Sequence, residues 1–207
     1  MTVLAAGEPG TFAAVVARLR EGRPVVVPTD TVYGVAALVD GVEHLRDLKR
    51  RPASRAIPLL VGGPGDLDDL AAEPSSAERA LAEAFWPGPL TIVVVARPSR
   101  LRAMVSDDDT VGVRCPAASL VRSIAAEVGP LPTTSANLHG EPTPVDAAGV
   151  EAAFGDPELL VVDGGRLSGG ASTVVRVLAG PSPAVEVLRD GPIDGARLQA
   201  VVAAAGS

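Results

Sequence analysis

Short runs of consecutive apolar residues alternate along the chain with stretches in which apolar residues recur every third or fourth position. Phe12, Val15, Val16 and Leu19 have the second spacing, which predicts an amphipathic helix over residues 11–21 that stops at Gly22 and feeds a strand at Val25-Val26-Val27. A short apolar stretch at 35–38 follows. Asp40 is positioned to cap a helix through residue 48, with Val42, Leu45 and Leu48 inward and Pro52 as its stop. Residues 57–61 read as a strand and Gly62-Gly63-Pro64-Gly65 as a loop. Ser75 followed by Glu78 is a capping box for a helix to residue 85, and Trp86-Pro87-Gly88-Pro89 is a rigid turn into a strand at 90–95.

The second half repeats the alternation. After a polar loop over 97–109, residues 110–114 form a strand with Thr110, Gly112 and Arg114 on one face, and Pro116 suits the first turn of a helix to about residue 128. Asp146 caps a helix to 154, residues 159–162 are a strand, and 164–170 are glycine-rich. Strands at 172–177 and 184–188 meet at Gly180-Pro181, and Asp194 caps a last helix that ends before Gly206. Helices and strands in alternation predict an α/β fold, and the paired strands near the end predict a mixed sheet. Neither repeat nor linker interrupts the pattern, so residues 1–207 are expected to form one domain.

Composition narrows the chemistry. With 47% apolar residues the chain reads as globular, and its single cysteine, Cys115, excludes an intramolecular disulfide. Only His44 and His139 accompany that cysteine, so no clustered soft-ligand metal site is expected. No signal-like start and no apolar run of membrane length is present, which makes a cytoplasmic location the expectation. A net charge of −7 argues against a nonspecific nucleic-acid coat. Even so, Arg46, Lys49, Arg50, Arg51 and Arg55 fall within one short stretch, and Lys49 is the only lysine in the chain. A sequence that otherwise uses arginine throughout keeps one compact, three-donor point charge there. The helix dipole offers the triplet Lys49-Arg50-Arg51 a purely structural role as well.

Two strand ends carry polar groups. Pro28-Thr29-Asp30-Thr31-Val32-Tyr33-Gly34 opens from an apolar run into hydroxyls, a carboxylate and a phenol, and Pro132-Thr133-Thr134-Ser135-Ala136-Asn137 does the same with hydroxyls and an amide. Such ends deliver rigidly held polar groups to a cleft. The alternative for the first is a strand-to-helix turn with Thr29 or Asp30 as the cap. Neither a phosphate-binding lysine loop nor a dinucleotide fingerprint is present, and two histidines do not assemble a Ser-His-acid or Cys-His set. Cations and short hydroxyls suit the binding and positioning of a polyanion, with little covalent chemistry by the protein.

The ordered set formed by the motif at 28–34, Lys49-x-Arg51-Pro52, Trp86-Pro-Gly-Pro-Leu-Thr91, Val113-Arg114-x-Pro116, Thr134-Ser-Ala-Asn137, Ser172-Thr-Val-Val175 and Leu188-Arg189-x-Gly191 resembles the YrdC family, the threonylcarbamoyl-AMP synthases. The resemblance implies a twisted, open mixed sheet with flanking helices around a basic cleft. It also implies formation of threonylcarbamoyl-AMP and pyrophosphate from L-threonine, bicarbonate and ATP, with Mg²⁺ on the phosphates. The product would pass to a tRNA threonylcarbamoyl transferase for modification of the adenosine next to the anticodon. Carried onto this sequence, Thr31, Arg114, Thr133 and Ser172 would bind threonine. Lys49 and Arg51 would be catalytic and, with Arg55, would face the triphosphate; Thr110, Ser135, Asn137, Thr143 and Arg189 would complete the nucleotide site.

Two departures accompany the resemblance. Many members continue after the basic motif with Asn-Pro-Leu and then a histidine, whereas this chain reads Arg55-Ala56-Ile57-Pro58-Leu59 and reaches Gly62, which leaves that histidine without a counterpart. The chain also ends at Ser207, like the short bacterial type. Other readings of the same scaffold are a double-stranded RNA-binding module, or a carbamoyl-transfer or regulatory paralogue with a different substrate.

Overall fold

The computed structural model describes residues 1–50, 56–97, 101, 104–106, 108–138, 140–168, 170–180 and 182–205. Its strands are β1 (Thr2–Ala5), β2 (Val25–Pro28), β3 (Tyr33–Ala36), β4 (Leu59–Leu60), β5 (Leu90–Val95), β6 (Thr110–Arg114), β7 (Leu131–Ser135), β8 (Leu160–Asp163), β9 (Thr173–Leu178) and β10 (Ala184–Arg189). They join in one open mixed sheet of ten strands in the order β1-β8-β2-β3-β7-β4-β6-β5-β9-β10. The helices are α1 (Thr11–Arg20), α2 (Val42–Lys49), α3 (Asp66–Leu70), α4 (Ser76–Phe85), α5 (Ser119–Val128), α6 (Ala147–Phe154) and α7 (Gly195–Ala205).

Alternation along the strands divides the core in two. Val26, Val35, Leu59, Ile92, Val113 and Val175 point to one face and pack with residues of α2, α3, α4, α6 and α7. Val25, Val27, Ala36, Leu60, Leu131 and Val162 point to the other, where α1 and α5 cover them. On that second face, Thr91, Val93, Gly112, Arg114 and Val174 instead line an open cavity. The uncovered part of the sheet is therefore the floor of a cleft.

Much of the periodicity reading agrees with these elements. Strands β5 and β6 have the expected bounds, and Ser75 and Glu78 form the capping box of α4. Asp146 caps α6 by accepting from the Gly149 N–H at 2.9 Å. Several expectations need correction. Phe12 is 39% exposed, so α1 buries Thr11, Val15, Val16 and Leu19 instead. Asp40 lies inside a 3-10 turn, Val39–Gly41, and caps nothing; α2 starts at Val42 after it. Its buried stripe is Val42, Leu45, Arg46 and Lys49, with Leu48 only partly buried. The helix ends with Arg50 in the left-handed region at φ 53, before Pro52 is reached; Pro52 lies outside the described residues. Pro116 does not open α5: the first helical residue is Ser119, and the Arg122 side chain donates to the Pro116 and Ala117 carbonyls at 3.1 and 2.8 Å. Strand β1 and helix α3 have no counterpart in the sequence reading, and β4 is shorter than expected.

Candidate active site

The motif at 28–34 is a hairpin loop, not a strand-to-helix turn: β2 and β3 pair antiparallel from Val25↔Ala36 to Pro28↔Tyr33. Within the loop, the Thr29 hydroxyl donates to the Val32 carbonyl at 2.6 Å and accepts from the N–H groups of Thr31 and Val32 at 3.2 and 3.1 Å. Its proton and both lone pairs are committed there, and the Thr31 hydroxyl oxygen lies 3.0 Å away. Strand β7 pairs antiparallel with β3 through Gly34↔Ser135, Val35↔Thr134 and Ala36↔Thr133. The two polar strand ends thus lie side by side and line the same cavity, of about 440 Å³.

Arg114 lines this cavity and is 5% exposed. The guanidinium is held by three donated bonds: Nε to the Gly88 carbonyl at 3.0 Å, Nη1 to the Thr31 hydroxyl at 2.8 Å, and Nη2 to the Asp30 carboxylate at 2.7 Å. Burial pushes this guanidinium below its ordinary pKa and the Asp30 charge acts in the opposite direction. Arginine has five N–H donors, so two remain for a ligand.

Arg189 stands beside it because of a register change. The β9–β10 pairing shifts between Val187 and Arg189, so that Arg189 lies opposite Val174, which faces the cavity. An unshifted ladder would set it on the other face. Arg189 donates through Nε to the Ser172 carbonyl and through Nη2 to the Ser172 hydroxyl, both at 3.0 Å. Burial lowers its pKa first, and the nearby Arg114 charge adds to the effect. Among the described residues no carboxylate lies within ion-pairing distance of Arg189, and none lines the cavity. Two neighbouring cations facing an acid-free cavity are an anion site. Gly191 permits it: a Cβ there would stand 2.3 Å from the Thr173 nitrogen and 2.6 Å from the Ser172 carbonyl carbon.

The Sua5/YciO/YrdC family model, described as "Telomere recombination", matches residues 17–191. The chain belongs to this family. A Mycobacterium tuberculosis homologue is 34% identical over 194 residues, covering 92% of this chain and 88% of its own length. The Bacillus subtilis protein named threonylcarbamoyl-AMP synthase is 32% identical over 196 residues, 92% of this chain and 56% of its own. Among solved structures, Pyrococcus abyssi Sua5 complexed with L-threonine superposes with a TM-score of 0.85 at 31% identity, covering 97% of this chain and 60% of that one. Escherichia coli YciO shares the fold, with a TM-score of 0.79 at 21% identity and coverage of 93% and 95%.

Of the residues expected to bind threonine, Thr31, Arg114, Thr133 and Ser172 all line the cavity of this Sua5/YciO/YrdC domain, and so do Ser135, Thr143 and Arg189 from the nucleotide set. Asn137 lies behind Ser135, whose hydroxyl donates to the Asn137 carbonyl oxygen at 2.5 Å; its amide is tied to the Leu138 and Glu141 carbonyls. Lys49, 2% exposed, reaches from the end of α2 to the Thr134 hydroxyl at 3.3 Å and to the Ser135 carbonyl. Thr110 shares the strand face of Arg114 but is not among the lining residues; its hydroxyl donates to Asp108 at 2.7 Å and contacts Ser106. Arg51 and Arg55 lie outside the described residues. The sequence gives Thr91 no role, and it offers Asp30 as a polar group at a strand end or as a helix cap, without its partner. Thr91 was visible as a polar residue at the odd position of an otherwise apolar strand, whereas the pairing of Asp30 with Arg114 left no local signal.

Proposed function

We propose that this chain is a nucleotidyltransferase that forms threonylcarbamoyl-AMP and pyrophosphate from L-threonine, bicarbonate and ATP, in the cytoplasm, and passes the product to a tRNA threonylcarbamoyl transferase. The observation that carries the reading is the pair Arg114 and Arg189 on the floor of a hydroxyl-lined cavity free of carboxylates among the described residues. Homologues named threonylcarbamoyl-AMP synthase and the L-threonine complex of Sua5 support it.

In this proposal the two remaining N–H donors of Arg114 take the threonine carboxylate. The threonine amine and bicarbonate condense to a carbamate with loss of water. A carbamate oxygen then bonds to the α-phosphorus as the bond from that phosphorus to the bridging oxygen breaks, and pyrophosphate leaves with the electron pair. Attacking group and phosphate are both anions. The protein's part is to lower their repulsion through Arg114, Arg189 and Lys49 and to hold them in line. Hydroxyls and guanidinium groups do not fit a resident divalent cation, and no group of three His, Cys, Asp or Glu side chains able to hold one occurs among the described residues. Magnesium therefore enters as part of the MgATP substrate.

The test is pyrophosphate release from MgATP by the purified protein. Release that requires both bicarbonate and L-threonine is expected; release indifferent to threonine, or none, overturns the proposal.

A further inference from the structure

We infer that Thr91 is a positioning residue that aims the Ser172 hydroxyl into the cavity, so that Ser172 acts as a fixed hydrogen-bond donor to the bound amino acid. The inference rests on the function proposed above.

Strand β5 lies between β6 and β9, and Thr91 is paired with Val174 in the parallel β5–β9 ladder. It is 6% exposed and lines the cavity. Its methyl and hydroxyl serve different neighbours. The methyl packs towards β6: a Cβ on Gly112 would stand 3.0 Å from Thr91 Cγ2, so the absence of a side chain at Gly112 is what gives the methyl its place. Threonine is restricted at χ1 by β-branching. The hydroxyl then points towards β9, 2.8 Å from the Ser172 Oγ.

Ser172 has one proton and two lone pairs. Arg189 can only donate, and its Nη2 fills one lone pair at 3.0 Å. If Thr91 donates into the other, both lone pairs are occupied and the serine proton has one direction left, the cavity. An acceptor on the ligand selects this arrangement of the Thr91–Ser172 bond over its reverse, in which Ser172 donates to Thr91. Without the Thr91 hydroxyl, Ser172 loses the donor that turns its proton outward, and the ligand meets a rotor in place of an oriented donor.

The test compares Thr91→Val, which keeps the shape and removes the hydroxyl, with Thr91→Ser, which keeps the hydroxyl and removes the methyl. KM for L-threonine, KM for ATP and kcat are measured for pyrophosphate release, and ligand-free Tm is recorded for each protein. In Thr91→Val, KM for threonine is expected to rise about tenfold, as when one hydrogen bond worth about 1.4 kcal/mol is lost, with KM for ATP within twofold. Thr91→Ser is expected to stay near wild type in KM. A residue that serves only packing gives the reverse: Thr91→Ser is the damaged protein, Thr91→Val is unchanged, and the inference falls while the proposed function stands. Should Thr91→Val fail to fold, a raised threonine KM in Thr91→Ser overturns the inference and an unchanged one supports it. A wild type without threonine-dependent release overturns the proposed function and this inference with it.

Discussion

Arg114 Nη2 donates to Asp30 Oδ1 at 2.7 Å, joining residues 84 positions apart in the chain across the floor of the cavity. Asp30 is the only carboxylate paired with a cavity-lining guanidinium among the described residues. Its charge compensates a buried cation while leaving two donors of that cation free. Asp30→Asn keeps the shape and removes the compensation, so the ligand-free protein is expected to lose about 2 kcal/mol, below the cost of breaking a fully buried pair because Asp30 retains some solvent. A bound carboxylate can replace the missing charge. The rise in Tm on adding L-threonine is therefore expected to be larger in Asp30→Asn than in wild type. Thermal unfolding with and without threonine measures both quantities; an equal or smaller rise counts against the pairing as the reason for Asp30.

Gly191 is the second residue whose role is decided by distance. The backbone of Ser172 and Thr173 occupies the space a side chain would need, with the Thr173 hydroxyl 2.7 Å from the ideal Cβ. That hydroxyl also links β9 to the segment between β10 and α7, accepting from the Ile193 N–H at 3.0 Å. Backbone cannot swing aside as a side-chain tip can. Gly191→Ala is expected to destabilise by about 3 kcal/mol or more, at the upper end of overpacking costs, and to weaken threonine binding because Ser172 moves. Denaturant unfolding reads the first effect and calorimetric titration the second; a stable variant with intact binding would show that the loop after β10 is free to shift.

Which of these features could be read from the sequence follows from how local their causes are. Strand β5 is an almost continuous apolar run entered from Pro87-Gly88-Pro89, and β6 alternates polar and apolar residues shortly before Pro116, so their limits and the face shared by Thr110, Gly112 and Arg114 were legible. Lys49 was legible as the only lysine, but its burial was not, because the helical reading set Leu48 on the inner face with Val42 and Leu45 where the structure buries Lys49. Strand β1 was not, because it is a mostly exposed edge strand of four residues, and α3, Asp66–Leu70, is too short for a helical period to show. The face presented by Arg189 depends on a register shift against a neighbouring strand, which nothing in Leu188-Arg189-x-Gly191 reveals. The same holds for Asp30, whose partner lies on another strand.

Strong acid is expected to loosen the turn before β6. Asp108 accepts from the Ser106 hydroxyl at 2.5 Å and from the Thr110 hydroxyl at 2.7 Å, and Arg176 pairs with it at 3.0 Å. The two hydroxyl bonds, with the Arg176 charge as a smaller cause, lower its pKa from 3.8 to about 2. A carboxyl with a lowered folded-state pKa stabilises above its ordinary value and loses that contribution as pH falls through the folded value. The turn is therefore expected to be fully held above pH 4 and to loosen between about pH 4 and 2. Carboxyl and amide NMR signals of residues 106–110 followed in that range check it, with Asp108→Asn expected to remove the pH dependence. A midpoint at the ordinary carboxyl value would mean that the hydroxyl bonds do not persist in solution.

Selection of the amino acid follows from the hydrogen bonds that the cavity hydroxyls already make. Thr31 accepts from Arg114 at 2.8 Å, and Thr133 donates to the Leu131 carbonyl at 2.9 Å. Both oxygens keep unfilled lone pairs in a buried site, so they read a donor on the ligand. Threonine and serine bring one. Valine has the volume of threonine but would leave those lone pairs facing a methyl, and sites built to bond a hydroxyl reject the analogue lacking it by about 10⁴-fold or more. Serine differs from threonine by one methyl, which is worth about 10–200-fold. The expected order of kcat/KM is threonine, then serine, then valine near background, measured as pyrophosphate release at saturating MgATP and bicarbonate. Valine turning over as well as threonine would mean that Thr31 and Thr133 do not face the side chain of the substrate, and that the cavity recognises only its carboxylate through Arg114.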